Sequence, residues 1–233
     1  MKRRQFSAGF ATAAAAPWWT GSLAAGSMAV AGAASAQTAA PAGAGGNWVE
    51  GTHFVRLAQP LPQAAGGKIE VAEFFWYGCP HCNAFEPMLE AWSKRLPADV
   101  ALRRVPVAFR DEPFVAHQKI YFALEALGRV DTMHRRVFAA IHNERQRLDK
   151  PNDIAAFMAR NGVDGAQFLE AFNSFSVQTK VQQARRLSEG YKIDGVPAMG
   201  IGGRFFTSTS LAGTPDRTLA VTDFLIQRAR RGA

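Results

Sequence analysis

The sequence predicts an α/β protein whose sheet-forming ends are separated by a long helical middle, and three observations predict it. Residues 69–77 form an apolar, aromatic-rich run of strand length that stops at Gly78, and a helix-start signal follows at once. Between residues 113 and 191 the apolar side chains recur at helical spacing with almost no strand signal. Strand character then returns at residues 198–201 and 204–207, joined by Gly202-Gly203.

From the N-terminus, Lys2, Arg3 and Arg4 precede a long uncharged Ala/Gly-rich stretch that ends in Ala34-Ser35-Ala36. This reads as a signal peptide cleaved after Ala36, with a mature start at Gln37. An uncleaved membrane anchor is the alternative: the stretch is long enough to span a bilayer, although its small residues make it weakly apolar. Arg3-Arg4-Gln5-Phe6 partly resembles a twin-arginine signal, but Lys2, Ser7 and Ala8 depart from that pattern, and the export route stays open. Residues 37–46 (QTAAPAGAGG) hold no large apolar side chain and are expected to be a flexible linker. The formal net charge is +8; without the leader, 24 basic residues face 19 acidic ones, leaving +5. That balance is mild and the arginines are scattered, so a solvated basic surface is expected and nucleic-acid binding is not.

Residues 48–57 are expected to form a short first strand, followed by a loop with Pro60, Pro62, Gly66 and Gly67. After the 69–77 strand, Phe85, Leu89, Trp92 and Leu96 mark the buried stripe of a helix with Pro87 in its interior. Residues 100–109 read as the next strand, and Pro106 places it at a sheet edge or bulge. Helices are then predicted over residues 113–127, 131–143, 152–161, 165–173 and 176–191, punctuated at Gly128, Lys150-Pro151-Asn152 and Gly162. Met133, Phe138, Phe157, Met158, Phe168 and Phe172 recur at helical spacing and are assigned to the core. Gly202-Gly203 suits a two-residue hairpin turn with φ > 0 at both positions, and Thr214-Pro215 opens a last helix through Leu219, Phe224, Leu225 and Ala229.

The chemistry concentrates at Cys79-Pro80-His81-Cys82. Pro80 suits the first helical position, since it lacks only an N–H that would be orphaned there. Cys79 therefore sits at a helix tip and Cys82 almost one turn in on the same face, a spacing that can bring two sulfurs within disulfide reach. Unpaired backbone N–H groups, the helix dipole and His81 all favour a thiolate at Cys79. Cys82, deeper in the helix, is better placed to resolve a mixed disulfide than to start one. Two plainer readings compete. A zinc site needs about four ligands, yet the chain has 2 cysteines, and His81, His117, His134 and His142 show no paired spacing with them, so no metal is expected. A purely structural disulfide closing so short a loop gains little from loop entropy.

Glu73-Phe74-Phe75-x-x-x-Cys79-Pro80-His81-Cys82, followed far downstream by Gly195-Val196-Pro197-Ala198-Met199, resembles the DsbA family, the periplasmic thiol oxidases of the thioredoxin superfamily. The likeness runs from about Gly51 to the C-terminus. It implies a thioredoxin fold, here over residues 47–112 and 192–233, with an inserted all-helical domain at 113–191. It also implies a depressed Cys79 pKa, an oxidising disulfide, and donation of the Cys79–Cys82 disulfide to unfolded exported polypeptides that carry free thiols. No cofactor beyond that redox-active disulfide is implied. Reoxidation would fall to a quinone-linked membrane oxidase of the DsbB type, the location would be the periplasm, and the protein is expected to be a monomer. The family places a cis-proline at Pro197 beside the dithiol, where Val196 offers backbone groups to an extended peptide; an ordinary trans-proline opening a strand is the alternative. The family also uses a buried acid, here Glu73, to move protons to or from the second cysteine, balanced by a basic residue on the neighbouring strand, here Arg104. Otherwise Glu73 would simply reach solvent at the sheet end. Two other functions stand beside the oxidase reading. One is an isomerase or reductase of the same fold; isomerases of this superfamily usually carry an extra dimerisation domain, for which residues 37–46 leave no room. A non-catalytic peptide-binding chaperone would not need the paired cysteines.

Overall fold

The structure, a computed structural model, describes residues 46–63 and 66–232. The expected leader at 1–36 and all but the last residue of the expected linker at 37–46 lie outside the described residues. Five strands form one mixed sheet: β1 (Val55–Arg56), β2 (Ile69–Phe75), β3 (Val100–Pro106), β4 (Ala198–Ile201) and β5 (Phe205–Ser208). Their order is β1-β5-β4-β2-β3, with β2 parallel to β3 and every other pairing antiparallel. β3 is an edge strand, as Pro106 foretold, because a residue without an N–H cannot serve a central ladder.

Helix α1 (Pro80–Ser93) follows β2 directly, and α2 (Phe114–Ala126), α3 (Val130–His142), α4 (Pro151–Arg160), α5 (Gly165–Asn173) and α6 (Phe175–Gly190) all fall between β3 and β4. The short α7 (Thr209–Ala212) and the long α8 (Pro215–Arg230) close the order. Among the described residues no helix is long and apolar enough to cross a membrane. α8 starts where Thr214-Pro215 signals it: the Thr214 hydroxyl accepts from the Arg217 N–H, satisfying one orphan donor of the first turn.

The core lies on both faces of β2. Val71 packs with Phe85, Leu89 and Trp92 of α1 and Leu225 of α8, while Phe74 and Phe75 pack with the helices inserted between β3 and β4. The Phe74 ring meets Tyr191 edge-on at 5.2 Å, and Phe75 meets Tyr121 at 5.4 Å. Burial on both faces explains why β2 reads as a continuous apolar run without alternation.

Two expectations need correction. The first strand is only two residues long: Gly51 (φ 83°) turns the chain, and the N–H of Gly51 bonds back to the carbonyl of Phe54, so residues 48–53 cannot lie extended along β5. The β4–β5 turn does have both glycines at positive φ, with Arg204 N–H closing onto the Ile201 carbonyl, but pairing resumes at Phe205 opposite Ile201, so the connection spans three residues. At Gly203 a Cβ would meet the Leu61 carbonyl oxygen at 2.2 Å, which leaves glycine the only residue that fits.

Candidate active site

β2 ends and α1 begins within a few residues, and that junction places the dithiol. Cys79 is the N-cap of α1, with extended backbone and Pro80 in the first turn behind it. Its sulfur accepts from the Cys82 N–H at 3.4 Å and lies 3.5 Å from the Val196 carbonyl oxygen. Pro80 and His81 are exposed, Cys79 is nearly covered and Cys82 is fully buried; both cysteines are free thiols. Gly78 is forced by packing: a Cβ there would sit 2.3 Å from the Trp76 indole, whose ring stacks at 4.0 Å on Phe114.

The two thiols differ sharply. Hydrogen bonding from the Cys82 side chain, then the backbone N–H groups of Cys82 and His81, and last the charge of His81, hold the Cys79 pKa down to about 6 against a smaller opposing effect of burial. Burial pushes the Cys82 thiol well above its ordinary value, and the Cys79 sulfur pushes it further. Val196–Pro197 is cis and brings the Val196 carbonyl over Cys79, while Ala198 of the following strand pairs with Phe74.

Behind Cys82, β2 and β3 pair Glu73 directly with Arg104. Glu73 is fully buried, with Oε2 at 3.2 Å from Arg104 Nε, an ion-pair contact without hydrogen-bond geometry. The sequence reading missed the second acid here. Glu86 of α1 is also buried and receives Arg104 at 2.9 Å (Nη2) and 3.4 Å (Nε). Two carboxyls thus share one guanidinium. Glu86 is ionised, held to about 2 by His134 and Arg104 in spite of its burial. Glu73, desolvated and repelled by the Glu86 charge more than Arg104 attracts it, is raised well above the carboxylate range and keeps its proton. A signal for Glu86 was present: it lies four residues after Cys82 on the apolar stripe of α1, where a carboxylate needs a partner.

His81 has a smaller part than its place in the motif suggests, since its ring charge is the weakest of the influences on Cys79 and the backbone N–H survives substitution. His81→Ser should therefore raise the Cys79 pKa, but by less than removal of the Cys82 thiol does, and lower the oxidising potential with it, at about 30 mV per unit. Thiolate absorbance against pH and a glutathione equilibrium on the same variant test this; a shift of several units would return the ring to the leading role.

A helix-tip cysteine at about pKa 6, a buried partner thiol and the Val196 carbonyl that precedes a cis-proline define a thiol:disulfide oxidoreductase of the thioredoxin fold. The model of the DSBA-like thioredoxin domain matches residues 70–216. The chain is 48% identical over 179 residues to the thiol:disulfide interchange protein DsbA of Bordetella parapertussis, which spans 76% of this chain and 85% of that one. Against the protein of the same name from Pseudomonas aeruginosa it is 40% identical over 187 residues, 80% of this chain and 88% of that one. The crystal structure of Pseudomonas aeruginosa DsbA superposes with a TM-score of 0.77 at 40% identity, covering 79% of this chain and 96% of that one. The oxidoreductase DsbA from Xylella fastidiosa gives 0.74 at 31% identity, with 79% and 98% covered. The chain belongs to the DsbA family.

Proposed function

We propose that the protein is exported to the periplasm and there oxidises newly exported polypeptides as a monomer. A substrate thiolate attacks Cys79 Sγ, the Cys79–Cys82 bond breaks, and Cys82 leaves with the electron pair. Glu73 supplies the proton that Cys82 needs and recovers one from solvent. A second substrate thiolate then attacks the substrate sulfur of the mixed disulfide, releasing an oxidised substrate and Cys79 as a thiolate. Val196 and Pro197 hold the substrate chain beside Cys79, and Pro80 and His81 shape the helix tip that receives it. The redox equivalent is the Cys79–Cys82 disulfide itself, with no metal or organic cofactor, and a quinone-linked membrane oxidase of the DsbB type restores it.

The observation that carries the direction is the Cys79 pKa of about 6. A disulfide has no charge to stabilise, so whatever favours the thiolate favours the reduced protein and makes the disulfide a stronger oxidant. Each pKa unit below the working pH adds about 30 mV for this two-electron couple. The experiment is the equilibrium with glutathione across pH. Below pH about 6 two protons accompany two electrons and the potential should fall about 59 mV per pH unit; above it one proton does, and the slope should halve to about 30 mV. A potential near the thioredoxin value of about −270 mV would overturn the oxidase reading in favour of a reductase.

A further inference from the structure

We infer that His134, contributed by α3 from the helical segment, is a positioning residue for the redox reaction: it decides which of the two buried carboxyls keeps the proton that Cys82 requires. Its ring is almost wholly buried between α1 and the β2–α1 junction. Nε2 lies 2.9 Å from Glu86 Oε1, and Nδ1 lies 2.8 Å from the Tyr77 hydroxyl. An ionised carboxylate only accepts, so Nε2 carries the hydrogen, and in the neutral ring Nδ1 is left to accept from the Tyr77 hydroxyl. Burial, which lowers the His134 pKa, favours that same neutral form.

The groups facing this ring come from every neighbouring element. Glu86 lies on α1, Arg104 on β3, Tyr77 at the end of β2, Tyr121 on α2 with its ring 5.9 Å away, and Arg135 on α3 itself. Glu73 stands behind Arg104. Arg104 is the cation that contacts both carboxyls, and it can neutralise only one of them. The N–H of His134 adds a donor to Glu86 and none to Glu73, which meets Arg104 without hydrogen-bond geometry and is further raised by its contact with Glu86. The negative charge therefore settles on Glu86 and the proton on Glu73, the carboxyl close enough to Cys82 for its charge, once the proton is given up, to hold the Cys82 thiol up. A cleft lined by Glu86, Glu90, Arg104, Asp131, His134 and Arg135 gives this cluster its opening to solvent on the α1–α3 side, a path for returning the proton.

The inference rests on Glu73 as the proton donor, and the test separates the two. The probe is reduced glutathione acting on the oxidised protein, and the rate of disulfide reduction is followed from pH 5 to 9 as a ratio to wild type, so that the titration of glutathione cancels. His134→Leu should slow reduction at pH 7 by about tenfold to a hundredfold, within the range of a positioned general acid, and recover as the pH falls and Glu73 is reprotonated. The Cys79 thiolate titration should stay in place. His134→Gln, whose amide can donate to Glu86 and accept from Tyr77 without titrating, should rescue the profile. If His134→Leu does not fold, Tyr77→Phe frees Nδ1 and should give the same change in weaker form. Glu73→Gln should be slow at every pH. A wild-type profile for His134→Leu or, failing its folding, for Tyr77→Phe, alongside a slow Glu73→Gln, overturns the inference. Failure of His134→Gln to rescue does the same, because a titrating histidine would then be required. A wild-type rate in Glu73→Gln overturns the donor reading and the inference with it.

Discussion

Cys82→Ala is expected to end disulfide donation entirely and to raise the Cys79 pKa toward the free-thiol value of about 8.5. The first effect follows from the electron balance: without Cys82 there is no protein disulfide for a substrate thiolate to attack, so nothing is left to donate. The lone Cys79 thiolate can only attack an existing disulfide. Offered a disulfide-bonded substrate, it displaces one substrate sulfur as a thiolate, and the mixed disulfide, with no buried Cys82 thiol to release it, should accumulate as a reducible band after thiol alkylation. The second effect follows from the order of causes at Cys79, where the Cys82 side chain stands ahead of the backbone N–H groups and of His81. Thiolate absorbance measures it. A pKa that stays at about 6 in Cys82→Ala would show that the helix tip suffices and that the pairing of the thiols does not set the acidity.

Arg104→Met should destabilise the fold by roughly 3–5 kcal/mol, because it strands two buried carboxyls that share one cation. Denaturant unfolding measures the loss, and its pH dependence identifies the cause. In the wild type the depressed Glu86 contributes stability that is present above the unfolded value of about 4.3 and is lost as pH falls toward about 2. The raised Glu73 works with the opposite sign: its contribution is full below about 4.3 and is lost as pH rises toward its folded value. Without Arg104, Glu86 keeps the His134 donor but loses its cation, and its folded pKa should rise. The acid-side loss should then shrink, and above pH about 4.3 stability should fall with pH more steeply, reaching twice the slope where Glu86 too folds protonated. A variant within about 1 kcal/mol of wild type and with an unchanged pH profile would mean that solvent, through the cleft beside Arg104, carries the charge balance.

Much of this could be read before any coordinates. Strand 69–75 was legible because burial on both faces makes it a continuous apolar run, and α1 because Pro80 and the stripe Phe85, Leu89, Trp92 obey helical spacing. The five helices between β3 and β4 came within one or two residues at each end, since Gly128, Lys150-Pro151 and Gly162 punctuate them locally. The pairing of Glu73 with Arg104 was anticipated only through the family resemblance. The short β1 and the cis bond at Glu112–Pro113 were not anticipated, the first because a glycine turn overrides a locally strand-like composition, the second because local sequence does not fix proline isomer.

The sequence by itself determined the chemistry of the dithiol: a proline at the first helical position, cysteines three apart and a strand ending at Gly78 are local facts, and local geometry places a thiol at a helix tip. Only the tertiary structure decided what surrounds it. Val196 reaches Cys79 across 117 residues, and His134 reaches Glu86 across 48, contacts that no periodicity encodes. Packing of that kind raises the buried Cys82 thiol and sets which carboxyl keeps its proton, because desolvation and Coulomb forces depend on what is packed within a few ångströms, whatever its distance along the chain.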